Sequence, residues 1–138
     1  MAQRKISDVV RRRPVTLRGA ATVQQACQEM HQQRIGAIMV TDEDGVLEGI
    51  FTGRDVVRLL AEGRSPVHTH LTTVMTRSPA HMPPGHSALD ALRLMHDGGF
   101  RHVPVVAGGR VVGIVSAGDF CAMEHDRLDE ESGFWERI

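Results

Sequence analysis

At 138 residues, 41% of them apolar and 24% charged, the chain is long enough for one soluble globular domain with a buried core. A formal charge of −1 argues against a general nucleic-acid binder, and the basic cluster Arg4, Lys5, Arg11, Arg12 and Arg13 reads as a solvated edge. No apolar run reaches membrane-spanning length and the N-terminus lacks the apolar core of a signal peptide, which predicts a cytosolic protein with neither nucleic-acid nor membrane partners.

In chain order, the first strong signal is a helix that begins after Thr22. Gln25 stands three residues on, as a capping box requires, and Val23, Ala26, Cys27 and Met30 form its apolar stripe. A strand over Ala37 to Val40, the turn pair Asp44-Gly45 and a returning strand over Leu47 to Phe51 make a hairpin, because Asp-Gly accepts positive φ. Thr52 then opens a helix over Asp55 to Glu62. The polar stretch Glu62 to Thr72, with Gly63, Pro66, His68 and His70, reads as a surface linker. The series then repeats. Ser87 and Asp90 cap a helix striped by Leu89, Leu92 and Met95; strands follow over Val103 to Val106 and Val111 to Val115 around Gly108-Gly109; and Ser116 precedes a helix over Asp119 to Glu124. The tail is acidic at Asp126, Asp129, Glu130 and Glu131 but carries Phe134 and Trp135, which suit docking on a partner or on the body of the protein as well as a frayed end. The expected organisation is repeat one over 1–62, linker 63–72, repeat two over 73–124 and tail 125–138.

Sliding the sequence by 65 positions makes the duplication explicit. Val9, Arg12, Pro14, Ala26, Met30, His31 and Val40 fall on Val74, Arg77, Pro79, Ala91, Met95, His96 and Val105. One residue fewer in the hairpin near Glu43 shortens the offset to 64, and Gly49, Ile50, Thr52 and Asp55 meet Gly113, Ile114, Ser116 and Asp119. Two copies of one supersecondary unit can pair about a pseudo-two-fold axis and form clefts lined by both. Cys27 and Cys121 align with Leu92 and Val57, which predicts buried thiols. His31 and His96 coincide at helix ends, where imidazole favours the negative end of the macrodipole.

The pattern resembles the cystathionine β-synthase domain, and the pair resembles a Bateman module. Its landmarks are Val74-Met75-Thr76, the run Arg101-His102-Val103-Pro104-Val105, and the recurring Gly-hydrophobic-hydrophobic-Ser/Thr-x-x-Asp motif, which ends at Thr52 to Asp55 in copy one and Ser116 to Asp119 in copy two. The resemblance covers Ile6 to about Met123. It implies an α/β fold of two tandem repeats, each a small sheet flanked by helices, and a disc-like homodimer. It further implies a regulatory module that requires no cofactor, binds an adenosine-containing small molecule (AMP, ADP or ATP) and signals to a regulated protein the sequence does not identify.

Site roles follow from the resemblance residue by residue. Asp119 and Asp55 hold ribose, while Ser116 and Thr52 lie near phosphate. Thr16 completes the cleft of Ser116 and Asp119, which Arg101 and His102 serve as phosphate-facing groups; His81 faces Thr52 and Asp55, where Arg54 reaches toward phosphate. Val103 and Pro104 in one cleft, with Ile38 and Val40 in the other, supply apolar and strand-backbone contacts to adenine. The chemistry suits this reading: a carboxylate accepts ribose hydroxyls, and hydroxyl and amide donors at a helix start receive phosphate. Helix capping alone also explains both tetrads, and the two roles are compatible. Three further readings compete: a structural dimerisation module with vestigial clefts, a metal sensor built on His68, His70, His81 and His86, and an enzyme. His-x-His without a companion carboxylate or cysteine pattern is more often polar surface. No nucleophile elbow, Walker loop or Cys-x-x-Cys points to catalysis.

Overall fold

The computed structural model describes residues 4–9 and 14–119. Cys121, the helix expected beyond Asp119, the basic residues Arg11 to Arg13 and the tail with Phe134 and Trp135 lie outside the described residues. The described chain forms two compact units. The first comprises residues 14–80 and 108–111, the second residues 4–9, 81–107 and 112–119.

In the first unit, β1 (Thr16–Arg18), β2 (Ala37–Thr41), β3 (Leu47–Thr52) and β4 (Thr76–Arg77) form a sheet in that order. β1 runs parallel to β2, with Thr16 opposite Met39 and Leu17 opposite Val40; β2 and β3 form the antiparallel hairpin; and β4 adds antiparallel to β3. All five residues of β2 are buried, as befits a central strand covered on both faces. The helices α2 (Val23–Gln33) and α3 (Gly53–Ala61) complete the unit. α2 begins with the predicted capping box, in which the Thr22 amide donates to Gln25 Oε1 at 2.8 Å and the Gln25 amide to Thr22 Oγ1 at 3.2 Å. The hairpin turn is an Asx turn: Asp42 Oδ1 accepts from the amides of Asp44 and Val46 at 2.8 and 3.0 Å, and Gly45 takes φ +80°.

Close approach explains the motif glycine of copy one. Gly49 sits opposite Arg77 in β4, and a Cβ there would lie 2.5 Å from Met75 Sδ and 2.9 Å from the Thr76 carbonyl oxygen. Any larger residue would push β4 off the sheet edge.

The second unit holds α1 (Ile6–Val9), α5 (Ala88–Gly98), β5 (His102–Ala107) and, from Val112 on, its hairpin partner β6 (Arg110–Ser116), followed by a 3₁₀ turn over Ala117–Asp119. Ser87 caps α5 by accepting from the Asp90 amide at 3.1 Å, and Gly99 ends it at φ +70°. Val105 pairs in parallel with Met82, as Val40 pairs with Leu17 in the first unit at the same 65-residue offset. Its core gathers Ile6, Met82, Leu89, Leu92, Met95, Val103, Val105 and Val115.

Neither core is built from one copy alone. Ile6, in the leading segment of copy one, lies fully buried in the second unit, where its amide donates to His86 O at 2.8 Å and Ala88 N donates to Arg4 O at 2.7 Å. The counterpart α4 (Leu71–Val74) does the same in the first unit: the Leu71 amide donates to Ala21 O at 2.9 Å, Val23 N donates to Thr69 O at 2.9 Å, and Leu71, Val74 and Met75 join the core of α2 and the sheet. Each copy's leading segment therefore completes the other copy's unit. This corrects the reading of Glu62 to Thr72 as a surface linker throughout. Exposure holds from Glu62 to His68, but Thr69 is buried and Leu71 begins a buried helical turn, because these residues must cover the N-terminal end of α2. Cys27 is half-buried, lying at the edge of the core, where α2 turns toward a groove; burial pushes its thiol pKa up, so it stays protonated.

Candidate functional site

Each tetrad is built the same way. Thr52 leaves β3 in an extended conformation and its amide donates to Asp55 Oδ2 at 2.9 Å, with Thr52 Oγ1 donating to the same oxygen at 3.3 Å. In the second unit Ser116 N and Ser116 Oγ donate to Asp119 Oδ2 at 2.8 and 3.2 Å. The turn after each strand is pinned to the preceding strand start: Gly53 N donates to Gly36 O at 3.1 Å, and Ala117 N donates to Arg101 O at 2.9 Å. Capping thus fixes both carboxylates through Oδ2 and leaves Oδ1 turned to other partners.

The two Oδ1 atoms differ. Arg58 Nη2 reaches Asp55 Oδ1 at 3.5 Å while donating to Val74 O at 3.0 Å. Among the described residues no hydrogen-bond donor meets Asp119 Oδ1. Arg58 is the residue that sequence reasoning missed. Its signal was present as a one-sided difference, since Arg58 follows Asp55 by three residues and Ala122 follows Asp119 by three.

The tetrad of the second unit has Arg101 and His102 beside it. Arg101 is exposed and its carbonyl is bound at the tetrad; His102, half-buried at the start of β5, follows it directly. Burial lowers the His102 pKa below the ordinary 6.5, the Arg101 charge lowers it further, and Asp119 acts in the opposite sense. A neutral imidazole therefore faces a neighbouring cation and a carboxylate. Because its folded pKa is depressed, the unfolded chain binds the extra proton first, so His102 withdraws stability as pH falls below 6.5 through the lower folded value. His102→Gln removes that slope. Thermal unfolding followed between about pH 7 and about pH 5 is expected to show a smaller loss for the variant than for the parent protein.

Of the remaining expected site residues, Arg54 is exposed in the first turn of α3. Ile38, Val40, Val103 and Pro104 are fully buried in their strands, so any contact they make with a ligand is through backbone. Pro104 O already accepts from Met82 N at 3.0 Å. Thr16 is exposed in β1, and His81 is exposed just before Met82. Among the described residues no group of three or more His, Cys, Asp or Glu gathers in metal-binding geometry. His68 Nδ1 lies 3.0 Å from Ser65 Oγ, and His70 Nδ1 lies 2.8 Å from Ala20 O.

A second feature of the first unit is an apolar groove of about 310 Å³ between α2 and α3, lined by Val23, Cys27, Val56, Leu59, Leu60 and Val67 among others. Leu60 and Val67, which line it, are 64 and 52% exposed, and Val57 on α3 is 67% exposed, three of the five exposed large apolar side chains in the described residues. A helix face this apolar suits association with another surface. No helix in the described residues is long and apolar enough to cross a membrane.

Comparison with known proteins gives this geometry its setting. The sequence model described as the CBS domain matches residues 6–62 and 71–125. The chain is 39% identical over 102 residues to the CBS domain-containing protein CBSCBSPB2 of Arabidopsis thaliana, covering 73% of this chain and 19% of that protein, so it spans about a fifth of that relative's length. It is 36% identical over 115 residues to the CBS domain-containing protein YhcV of Bacillus subtilis, covering 83% of this chain and 81% of that one. Among solved structures, the CBS domain pair of MJ0100 in complex with 5′-methylthioadenosine and S-adenosyl-L-methionine aligns with a TM-score of 0.78 at 26% identity, covering 90% of this chain and 98% of that one.

Proposed function

Because the chain belongs to the CBS domain family and carries two such domains in tandem, as a Bateman module does, we propose that it is a regulatory module that binds an adenosine-containing small molecule, AMP, ADP or ATP foremost, and passes its ligand state to a partner protein. The observation that carries this reading is the Asp119 carboxylate. It is held by Ser116 through one oxygen, leaves the other to accept hydroxyl protons, and stands beside Arg101 and His102. A vicinal diol donates to Oδ1; the Ser116 hydroxyl and the Arg101 guanidinium receive phosphate; the buried strand at Val103 and Pro104 offers backbone to a base. MJ0100, solved with two adenosyl compounds, supports the ligand class. No step of bond making is assigned to the chain, and no cofactor is needed for binding.

Signalling asks only that the ligand prefer one arrangement of the protein over another. In this reading, the exposed face of α3, with Val57 and Leu60, pairs with a second copy of the chain to form the homodimer. That same apolar face favours a second reading, a dimerisation module whose tetrads are caps and nothing more. Thermal denaturation of nucleotide-stripped protein against AMP, ADP, ATP, S-adenosylmethionine and zinc separates the two. A ligand at about a hundred times its dissociation constant adds roughly 2.7 kcal/mol and raises the midpoint visibly. A flat response to every adenosine compound would leave the dimerisation module standing; a response to zinc alone would turn the reading toward a metal sensor.

A further inference from the structure

A carboxylate offers about four acceptor positions, two on each oxygen. In both tetrads Oδ2 spends its two on the amide and hydroxyl of the capping residue. Whatever binds a diol must then work through Oδ1. Among the described residues no donor takes a position on Asp119 Oδ1, whereas Asp55 Oδ1 faces Arg58 Nη2, which is tied at its other contact to the Val74 carbonyl at the end of α4. The Asp55 side chain is 16% exposed and that of Arg58 50%, so the guanidinium sits on the outer side of a mostly covered carboxylate. Copy two has Ala122 at the matching place, a side chain with no donor.

We infer that Arg58 is an internal competitor for the ribose diol, a specificity-determining residue that holds the Asp55 carboxylate closed and makes Asp119 the carboxylate that engages a nucleoside first. The inference rests on the adenosine-binding reading above. Its physical content is a displacement: a diol at Asp55 must turn away a guanidinium that is anchored on Val74 O as well, whereas a diol at Asp119 displaces no side chain among the described residues. A half-exposed ion pair is a weak latch, so the expected handicap is about fivefold in affinity rather than a complete block.

The test uses adenosine, which has no phosphate for Arg58 to contact, titrated calorimetrically into the full chain. In the Asp119→Ala background only the Asp55 tetrad remains, and adding Arg58→Ala is expected to tighten adenosine about fivefold. Arg58→Gln, which keeps a donor for Val74 O, is expected to act in the same direction and guards against a folding defect; adding Asp55→Ala removes the gain. Unchanged, weakened or undetectable adenosine binding in Asp119→Ala with Arg58→Ala, alongside binding by the parent protein, overturns the competitor role alone. Loss of AMP affinity with adenosine unaffected also overturns it, by assigning Arg58 to phosphate. If the parent protein binds neither adenosine nor AMP, the adenosine-binding reading fails first and the competitor role falls with it.

Discussion

Asp119→Ala is expected to weaken adenosine-nucleotide binding at the second-unit tetrad by more than about a hundredfold while leaving the protein folded. Two ribose hydroxyls donating to an ionised carboxylate are worth roughly 1.5–3 kcal/mol each, and alanine offers no acceptor in their place. The structural cost is smaller. Asp119 accepts from Ser116 N and Oγ, so its loss removes a cap worth about 1 kcal/mol in a turn that Ala117 N still fixes to Arg101 O at 2.9 Å. Calorimetric titration with AMP, run beside thermal unfolding of the same sample, reads both quantities. Undiminished affinity in a folded variant would mean that the carboxylate is a cap and not a ligand-binding group. Asp119→Asn keeps the shape and an oxygen but loses the charge, and should fall between the two.

Leu71→Ala carries the largest expected stability effect. Leu71 is fully buried in the first unit although it opens the leading segment of the second copy, and its amide is held by Ala21 O. Truncating a buried leucine costs about 2–5 kcal/mol, a large share of the roughly 5–15 kcal/mol by which a domain is stable. Gln28→Ala, on the exposed side of α2, should change stability by no more than about 0.5 kcal/mol. Urea unfolding at equilibrium distinguishes them. A Leu71→Ala midpoint equal to that of Gln28→Ala would show that α4 is not part of the first unit's core. The same exchange explains why a fragment ending at Glu62 would lack Leu71, Val74 and Met75 from its own core.

Local chemistry was the legible part of this fold. Asp44-Gly45 and Gly108-Gly109 announced both hairpins because their three glycines adopt positive φ, and Thr22, Gln25 and Ser87 announced the helix starts because their side chains accept from amides three residues away, Asp90 giving its amide to Ser87. The short helices α1 and α4 were not legible. Four residues carry too little periodicity to register, and the burial of Ile6 and Leu71 is decided by partners far along the chain. Gly49 was visible as a motif position, but its cause, the approach of Met75 and Thr76, belongs to sheet packing.

The site divides along the same line. Thr52 with Asp55 and Ser116 with Asp119 could be paired from sequence because the bonds span three residues, and the structure brings each pair together as a cap. Arg58 escaped notice because its role depends on Val74 O, sixteen residues away, and on the absence of an equivalent at Ala122. The lowered pKa of His102 likewise comes from burial, Arg101 and Asp119 acting together, which spacing alone does not convey.

The most direct measurement is a paired calorimetric titration of the nucleotide-stripped protein with AMP and with its 2′,3′-dideoxy analogue. Binding of AMP that is lost when the two hydroxyls are removed is the predicted result, since in the proposed reading those protons are what the Asp119 carboxylate accepts. Equal affinity for the two compounds, or no affinity for AMP, would contradict the account.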